Sequence, residues 1–393
     1  MKLPVLQLKP GREKSVVNRH PWIFSGGIAN ISNAKEGDIV EVQSAKKEVL
    51  GYGFYSSDSQ ISCRLFDWGK QPEGFESEDY WLKKIKSAYA LRKALVISPS
   101  TDSYRLIHAE GDFIPGLIAD VYKNVLVVQF LIEGINKRKD LFINCFEQLG
   151  FTTIYQRSSG SSKNQQDVKT EDGWIKGNGN PALEIVENGQ RFNINIEDGQ
   201  KTGFFLDQRD NRLLLKTLAK DKTVLNAFSY TGGFSVYAAA GGAREVHSLD
   251  ISEDAIRLAG ENVSSNYPQA IHQGIVKDCF NYLREMPTDF YDLIVLDPPA
   301  FAKNKGAVDR AARGYKDINM QAFNKIKQAG LVFTFSCSQH ISKDLFQKIV
   351  FGAAADAKRN VRIIHQLHQP TDHPVNIFHP EGEYLKGLVL WVE

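Results

Sequence analysis

The chain has 393 residues, 42% hydrophobic and 24% charged, with a formal net charge of +2. It is too long for one typical domain, and its charge is too balanced to announce a nucleic-acid binder, so any such surface must be a local patch. Four separated cysteines without a CxxC pair argue against a disulfide framework or a zinc site and for a reducing compartment.

The N-terminal apolar stretch is too short for a signal peptide, and no run approaches the ~18 residues of a membrane span. A cytoplasmic protein without membrane contact is expected. Residues 1 to about 70 carry short strand patterns broken by glycine (GGIANI, DIVEVQS, EVLGYGFY, ISCRLF), which predict a small β-barrel. Ahead of them, GREKSVVNRHPWIFSGG sets Arg12, Lys14, Arg19 and His20 close to Trp22 and Phe24. Composition favours a solvated basic loop beside a core aromatic pair; the alternative is a small RNA-touching surface, since cations and rings suit phosphates and bases.

The spacing predicts a linking helix over 78–95, three strands within 103–132, a helix over 136–149 and a strand in TTIYQR. Residues 157–180 are polar and glycine-rich and predict a mobile loop. ALEIVENGQRFNINI predicts a hairpin around Glu-Asn-Gly. From about 197 onward strands alternate with helices, the pattern of a parallel sheet with flanking helices.

The first βαβ unit carries a nucleoside signature. Strand 223–226 runs into NAFSYTGGFSV, offering Asn226, Phe228, Tyr230, Thr231, Gly232 and Gly233; the next strand ends in Asp250. Gly232 and Gly233 allow close backbone approach, and Asp250 can accept from two ribose hydroxyls. This is not GxGxxG, whose glycines serve a pyrophosphate. The looser loop suits S-adenosylmethionine rather than NAD. A plain βαβ turn explains the glycines alone but not the acid. Asp278 is placed for the adenine amino group or, equally, as the N-cap of FNYLREM. In GQKTGFFLDQRDNR (199–212), Phe204 and Gln208 can cover the cofactor while Arg209 faces the substrate; the alternative is a helix entry with an apolar face.

Two further strands end in reactive loops. In LIVLDPPAF (293–301) two prolines fix the chain after Asp297, with Pro298 beside the cofactor and Phe301 able to stack on a base. In LVFTFSCS (331–338) the strand ends at Cys337. Strand carboxyl ends share one cleft in an open α/β sheet, so the acid and the thiol meet. A thiolate adding to carbon 6 of a pyrimidine activates carbon 5 toward a methyl donor, with Asp297 stabilising the ring nitrogen. From its neighbours alone, Cys337 reads equally as nucleophile or as buried small hydrophobe. The histidines 365, 368, 373 and 379 fit no ligand spacing, so no metal is expected.

The run from GREKSVVNRHPWIFSGG through DSYRLIHAEGD, GQKTGFFLDQRDNR, NAFSYTGGFSV, LDPPAF, RGYKDINM and TFSCS to DHPVNIF and PEGEYLKG resembles the bacterial 23S ribosomal RNA large subunit methyltransferase I family from end to end. The resemblance implies an α/β protein with an N-terminal PUA β-barrel (1–72), a central α+β domain with a β-hairpin (73–196) and a C-terminal Rossmann-like class I methyltransferase domain (197–393). It implies carbon 5 methylation of a cytosine in 23S ribosomal RNA, with S-adenosyl-L-methionine as cofactor, Cys337 as nucleophile and Asp297 as the acid. It also places the RNA contact on Arg12, Lys14, Arg19, His20 and Trp22, and leaves a homodimer open. The chain departs from other RNA cytosine methyltransferases in having Ala300 and Phe301, not a second cysteine, after Asp297-Pro298-Pro299. Amine or guanine methylation, uracil carbon 5 methylation and a non-enzymatic role in ribosome assembly are the competing readings.

Overall fold

In the computed structural model, residues 3–69, 74–158, 171–302 and 304–393 are described. They form two compact units. The first comprises residues up to Leu183 with Asn195–Leu206 and Thr371–Gly382; the second comprises Glu184–Ile194, Asp207–Pro370 and Glu383–Glu393.

The first unit opens with six strands: β1 (Val5–Leu8), β2 (Trp22–Phe24), β3 (Ile28–Ile31), β4 (Ile39–Gln43), β5 (Val49–Tyr55) and β6 (Ile61–Asp67), in the order β2-β6-β5-β4-β1-β3. The basic segment expected as a loop is instead ordered: it holds the short helix α1 (Lys14–Val17), and β2 pairs antiparallel with β6. Val16 and Ile23 draw it down by burying their side chains among Leu6, Leu8, Val40, Val42, Cys63 and Leu65. The expected core aromatic pair is not there, because Phe24 remains 50% exposed.

Helix α2 (Glu78–Leu95) follows, then β7 (Ser103–His108), β8 (Leu117–Tyr122), β9 (Val125–Phe130), α3 (Glu133–Asn136), α4 (Lys139–Glu147), β10 (Ile154–Gln156) and β11 (Gly173–Lys176). The sheet order is β11-β10-β9-β8-β7. The stretch expected as a loop over 157–180 therefore contains a strand, held by antiparallel pairing with β10 and by the edge-on contact of Trp174 with Tyr155 at 5.1 Å. Residues 159–170 of that stretch lie outside the described residues.

Barrel residues Tyr52, Phe54 and Phe66 share one apolar cluster with Trp81, Ile85, Leu117 and Phe142. That common core is why the barrel and the α+β segment form one unit. A buried Arg92–Asp112 pair, at 2.5 and 2.7 Å, closes off the polar groups inside.

A two-stranded hairpin follows, β12 (Ala182–Glu187) and β13 (Gln190–Asn195), turning at Asn188 and Gly189, both with positive φ. The second unit then runs α5 (Arg209–Leu218), β14 (Thr223–Ala227), α6 (Gly233–Ala240), β15 (Glu245–Asp250), α7 (Glu253–Asn266), β16 (His272–Val276), α8 (Cys279–Glu285), β17 (Leu293–Leu296), α9 (Val308–Lys325), β18 (Gly330–Ser336), α10 (Lys343–Ala357), β19 (Val361–Leu367) and β20 (Lys386–Val392). Its seven-stranded sheet has the order β16-β15-β14-β17-β18-β20-β19. The strands are parallel except β20, which runs antiparallel to both neighbours. Every residue of β14, β17 and β18 is buried, as befits the central strands of a parallel sheet. No helix among the described residues is long and apolar enough to cross a membrane.

Candidate functional site

Chain order reverses between β14 and β17: from β14 the chain steps outward to β15 and β16, then returns to build β17 and β18 on the other side. Such a switch point opens a crevice beyond the strand carboxyl ends. Five parallel strands deliver their following residues to that edge, namely the 228–232 loop after β14, Asp250, Asp278, Asp297 and Cys337.

The loop after β14 is strained. Phe228 (φ 59°), Tyr230 (φ 45°) and Gly232 (φ 78°) all lie in the left-handed region, where side-chain-bearing residues are rare. Asp250 pins this backbone: its Oδ2 accepts from the Tyr230 amide at 2.9 Å and its Oδ1 from the Ser252 amide at 3.0 Å. A Cβ on Gly232 would stand 2.8 Å from the Ala259 Cβ, and one on Gly233 would stand 3.2 Å from the Arg212 side chain. The bareness of these glycines thus also serves packing against α7 and α5. Beneath the loop, Asn226 Nδ2 donates to Ser235 Oγ at 2.9 Å, and the Ser235 and Ser248 hydroxyls are 2.6 Å apart. Asp278 caps α8, its Oδ1 accepting from the Asn281 amide at 2.9 Å.

On the other side of the switch point, Leu296 pairs with Thr334, so the chain leaves β17 at Asp297 beside the end of β18. The two loops are joined: the Ala302 amide donates to Ser338 Oγ at 3.2 Å, and Tyr315 Oη lies 3.0 Å from the same oxygen. Pro298 is buried and Asp297 half-buried. Phe301 belongs to a row of rings, 5.8 Å from Phe280 and 4.6 Å from Tyr315, which itself packs on Phe346. Of the four cysteines, Cys337 alone is not buried. Burial pushes the thiols of Cys63, Cys145 and Cys279 up to about 12, which makes them inert.

Arg209 is placed differently from the expected RNA contact: it is buried, with its Nε 3.6 Å from Glu187 at the end of β12. The same carboxylate takes Arg212 at 2.9 and 2.7 Å and Tyr237 at 3.0 Å, so the guanidinium is committed to an interior charge cluster. Gln208 is buried and accepts from Asn211 Nδ2 at 2.6 Å. Phe204 belongs to the first unit, where its amide donates to Tyr122 Oη at 3.2 Å.

Also in the first unit, Arg12, Lys14 and Arg19 are exposed and His20 and Trp22 half-buried. Trp22 Nε1 donates to Glu110 at 2.8 Å, and its ring meets His379 at 4.3 Å. Arg12, Trp22 and Phe24 line a cavity of about 240 Å³. Sequence reasoning missed Lys386, Ser338 and Tyr315. Only Lys386 carried a visible signal, a lone cation opening the apolar run GLVLWV.

The end of β14 holds three buried polar atoms without a hydrogen-bond partner, Asn226 Oδ1, Ser229 Oγ and Thr231 Oγ1. Buried polar atoms are ordinarily satisfied, and here they adjoin a half-buried carboxylate whose oxygens retain accepting capacity. This donor and acceptor set fits a nucleoside with a free ribose diol, as S-adenosylmethionine presents. Among the described residues, no three His, Cys, Asp or Glu side chains group as metal ligands.

Residues 104–376 match the S-adenosylmethionine-dependent methyltransferase family and residues 6–68 a PUA-like domain. A Shewanella frigidimarina protein named ribosomal RNA large subunit methyltransferase I is 42% identical over 98% of both chains, and its Alteromonas mediterranea namesake 41% over 97% of both. A solved methyltransferase structure complexed with SAH superposes with a TM-score of 0.85 at 26% identity, covering 99% of this chain and 100% of that one. The chain is an S-adenosylmethionine-dependent methyltransferase and belongs to the ribosomal RNA large subunit methyltransferase I family.

Proposed function

We propose that this protein methylates carbon 5 of a cytosine in 23S ribosomal RNA through a covalent adduct at Cys337. The observation that carries the reading is the pairing of the one cysteine that is not buried with Asp297 at neighbouring strand ends, their loops joined by the Ala302–Ser338 hydrogen bond. The names of the relatives supply the large-subunit RNA, and the PUA-like barrel supplies a surface with Arg12, Lys14, Arg19, His20 and Trp22 for it.

Carbon 5 of cytosine is a poor nucleophile. Addition of the Cys337 thiolate to carbon 6, with Asp297 holding the protonated ring nitrogen, converts the ring to an enamine with electron density at carbon 5. Bound S-adenosylmethionine supplies the electrophilic methyl group. Asp250 would hold the ribose hydroxyls, Asn226, Ser229 and Thr231 the remaining polar edge, Asp278 the adenine amino group, and Phe228 and Pro298 its apolar flanks. Removal of the carbon 5 proton then expels the thiolate. An amine methyltransferase needs an acceptor for developing charge but no thiol.

Replacing Cys337 with alanine is expected to abolish methylation of ribosomal RNA while binding of S-adenosylhomocysteine stays nearly unchanged. RNA carrying 5-fluorocytosine at the target is expected to be trapped as a gel-stable adduct, because fluorine cannot leave as a proton. Full activity in Cys337→Ala would favour amine methylation and overturn the reading.

A further inference from the structure

Lys386 is the first residue of β20 and pairs with Ser336 across the sheet, one residue before Cys337. Its side chain crosses to the other flank of the cysteine: Nζ donates to the Ser338 carbonyl at 2.7 Å and to the Tyr384 carbonyl at 2.6 Å. Lys386 is only 5% exposed. A buried ammonium ordinarily has a carboxylate partner, yet among the described residues none lies within ion-pair distance of Lys386, and the nearby Glu383 pairs with Lys343 at 4.0 Å. Two carbonyls occupy two of the three N–H donors, and neither neutralises the charge.

We propose that Lys386 is a positioning residue for Cys337, clasping the chain on both sides of it and supplying the counter-charge that holds its sulfur as a thiolate. The buried cation and the half-buried thiol account for each other: the ammonium gains an anion, and the thiol gains nucleophilicity at neutral pH. Burial, the largest influence, brings the Lys386 ammonium down to about 8 even though the fields of Cys337 and Glu383 act in the opposite direction. The other titratable groups around this cysteine include Tyr315 from α9, which burial keeps neutral, and Asp297 at the end of β17. An acid there opposes thiolate formation, which makes a cation on the far side the more necessary. The inference builds on Cys337 as nucleophile but concerns its ionisation, which is measurable without turnover.

The test is the pH dependence of iodoacetamide alkylation at Cys337 in the full-length protein, read by peptide mass; the other three thiols are buried. The wild-type inflection is expected below about 8.5, the ordinary thiol value. Lys386→Met is expected to raise it by about one unit or more and to slow alkylation at neutral pH about tenfold, with Lys386→Arg restoring most of the rate. An unshifted inflection in Lys386→Met overturns the proposal. So does a wild-type inflection at or above about 8.5, which needs no variant to fold. Methylation surviving in Cys337→Ala would instead remove the nucleophile and leave the alkylation shift standing, so the two failures are separable.

Discussion

Ala302 and Ser338 fasten the acid loop to the thiol loop: the Ala302 amide donates to the Ser338 hydroxyl at 3.2 Å, with both residues buried. Asp297 lies at the start of one loop and Cys337 directly precedes Ser338 in the other. One hydroxyl thus sets the spacing of the two groups that reach the same ring in the proposed mechanism. Ser338→Ala leaves a buried amide unsatisfied and is expected to cost about 1–3 kcal/mol of stability. Turnover should fall about tenfold or more, because small misplacements at a reacting centre are expensive. Thermal denaturation and single-turnover methylation check both; unchanged turnover would show that the loops hold their spacing without this bond.

Asp250 has two duties, and they predict a split result. Its carboxylate accepts from the Tyr230 and Ser252 amides, holding a loop in which Phe228 and Tyr230 are strained. In the proposed complex it also accepts from the ribose. Asp250→Ala is expected to weaken S-adenosylhomocysteine binding by about 100-fold or more, measured by calorimetry, since charge-assisted hydrogen bonds are worth about 1.5–3 kcal/mol each. Asp250→Asn keeps one accepting oxygen and should lose less. Equal losses in both variants would mean that the backbone contacts, not the ribose contacts, dominate.

Much of this site was legible because its residues sit where apolar runs stop. LIVL before Asp297 and LVFTF before Ser336 are the apolar, β-branched and aromatic runs that interior strands carry, and as parallel neighbours they end at the same edge of the sheet. Lys386 was not legible in the same way: its contact with the cysteine loop depends on β20 running antiparallel beside β18, a register no local pattern encodes. The burial of Arg209 was hidden for a related reason, since its partner Glu187 arrives from the distant hairpin. The strands β2 and β11 escaped because their stretches are polar overall, and each is held by two or three apolar or aromatic side chains.

Two glycines of the second unit should respond in opposite directions to the same change. Gly232 has φ 78°, and an added Cβ would meet the Ala259 Cβ at 2.8 Å, so Gly232→Ala combines backbone strain with overpacking. A loss of about 2–4 kcal/mol is expected, with cofactor affinity falling alongside. Gly260, inside α7, has nothing within 4 Å of the same position. Gly260→Ala is expected to stabilise by about 0.5–1 kcal/mol through helix propensity alone. Urea denaturation of both variants decides, and a neutral Gly232→Ala would show that the loop can relax away from α7.

His272 ties stability to mild acid. Its Nε2 lies 2.8 Å from Ser248 Oγ, the far end of the chain of hydroxyls that reaches Asn226 under the loop after β14. Burial, assisted by the charge of nearby His247, holds the His272 ring down at about 4 against an ordinary 6.5. The folded protein thus keeps this ring neutral while the unfolded chain takes up a proton below about 6.5, so the unfolded state gains as pH falls. The contribution of His272 is fully present above about pH 6.5 and is lost progressively toward about pH 4. Melting temperature should accordingly fall between about pH 7 and pH 5 by more in the wild type than in His272→Gln, which keeps a hydrogen-bonding group but cannot titrate. Parallel curves for the two proteins would assign the acid sensitivity to other groups and free the hydroxyl chain from any role in it.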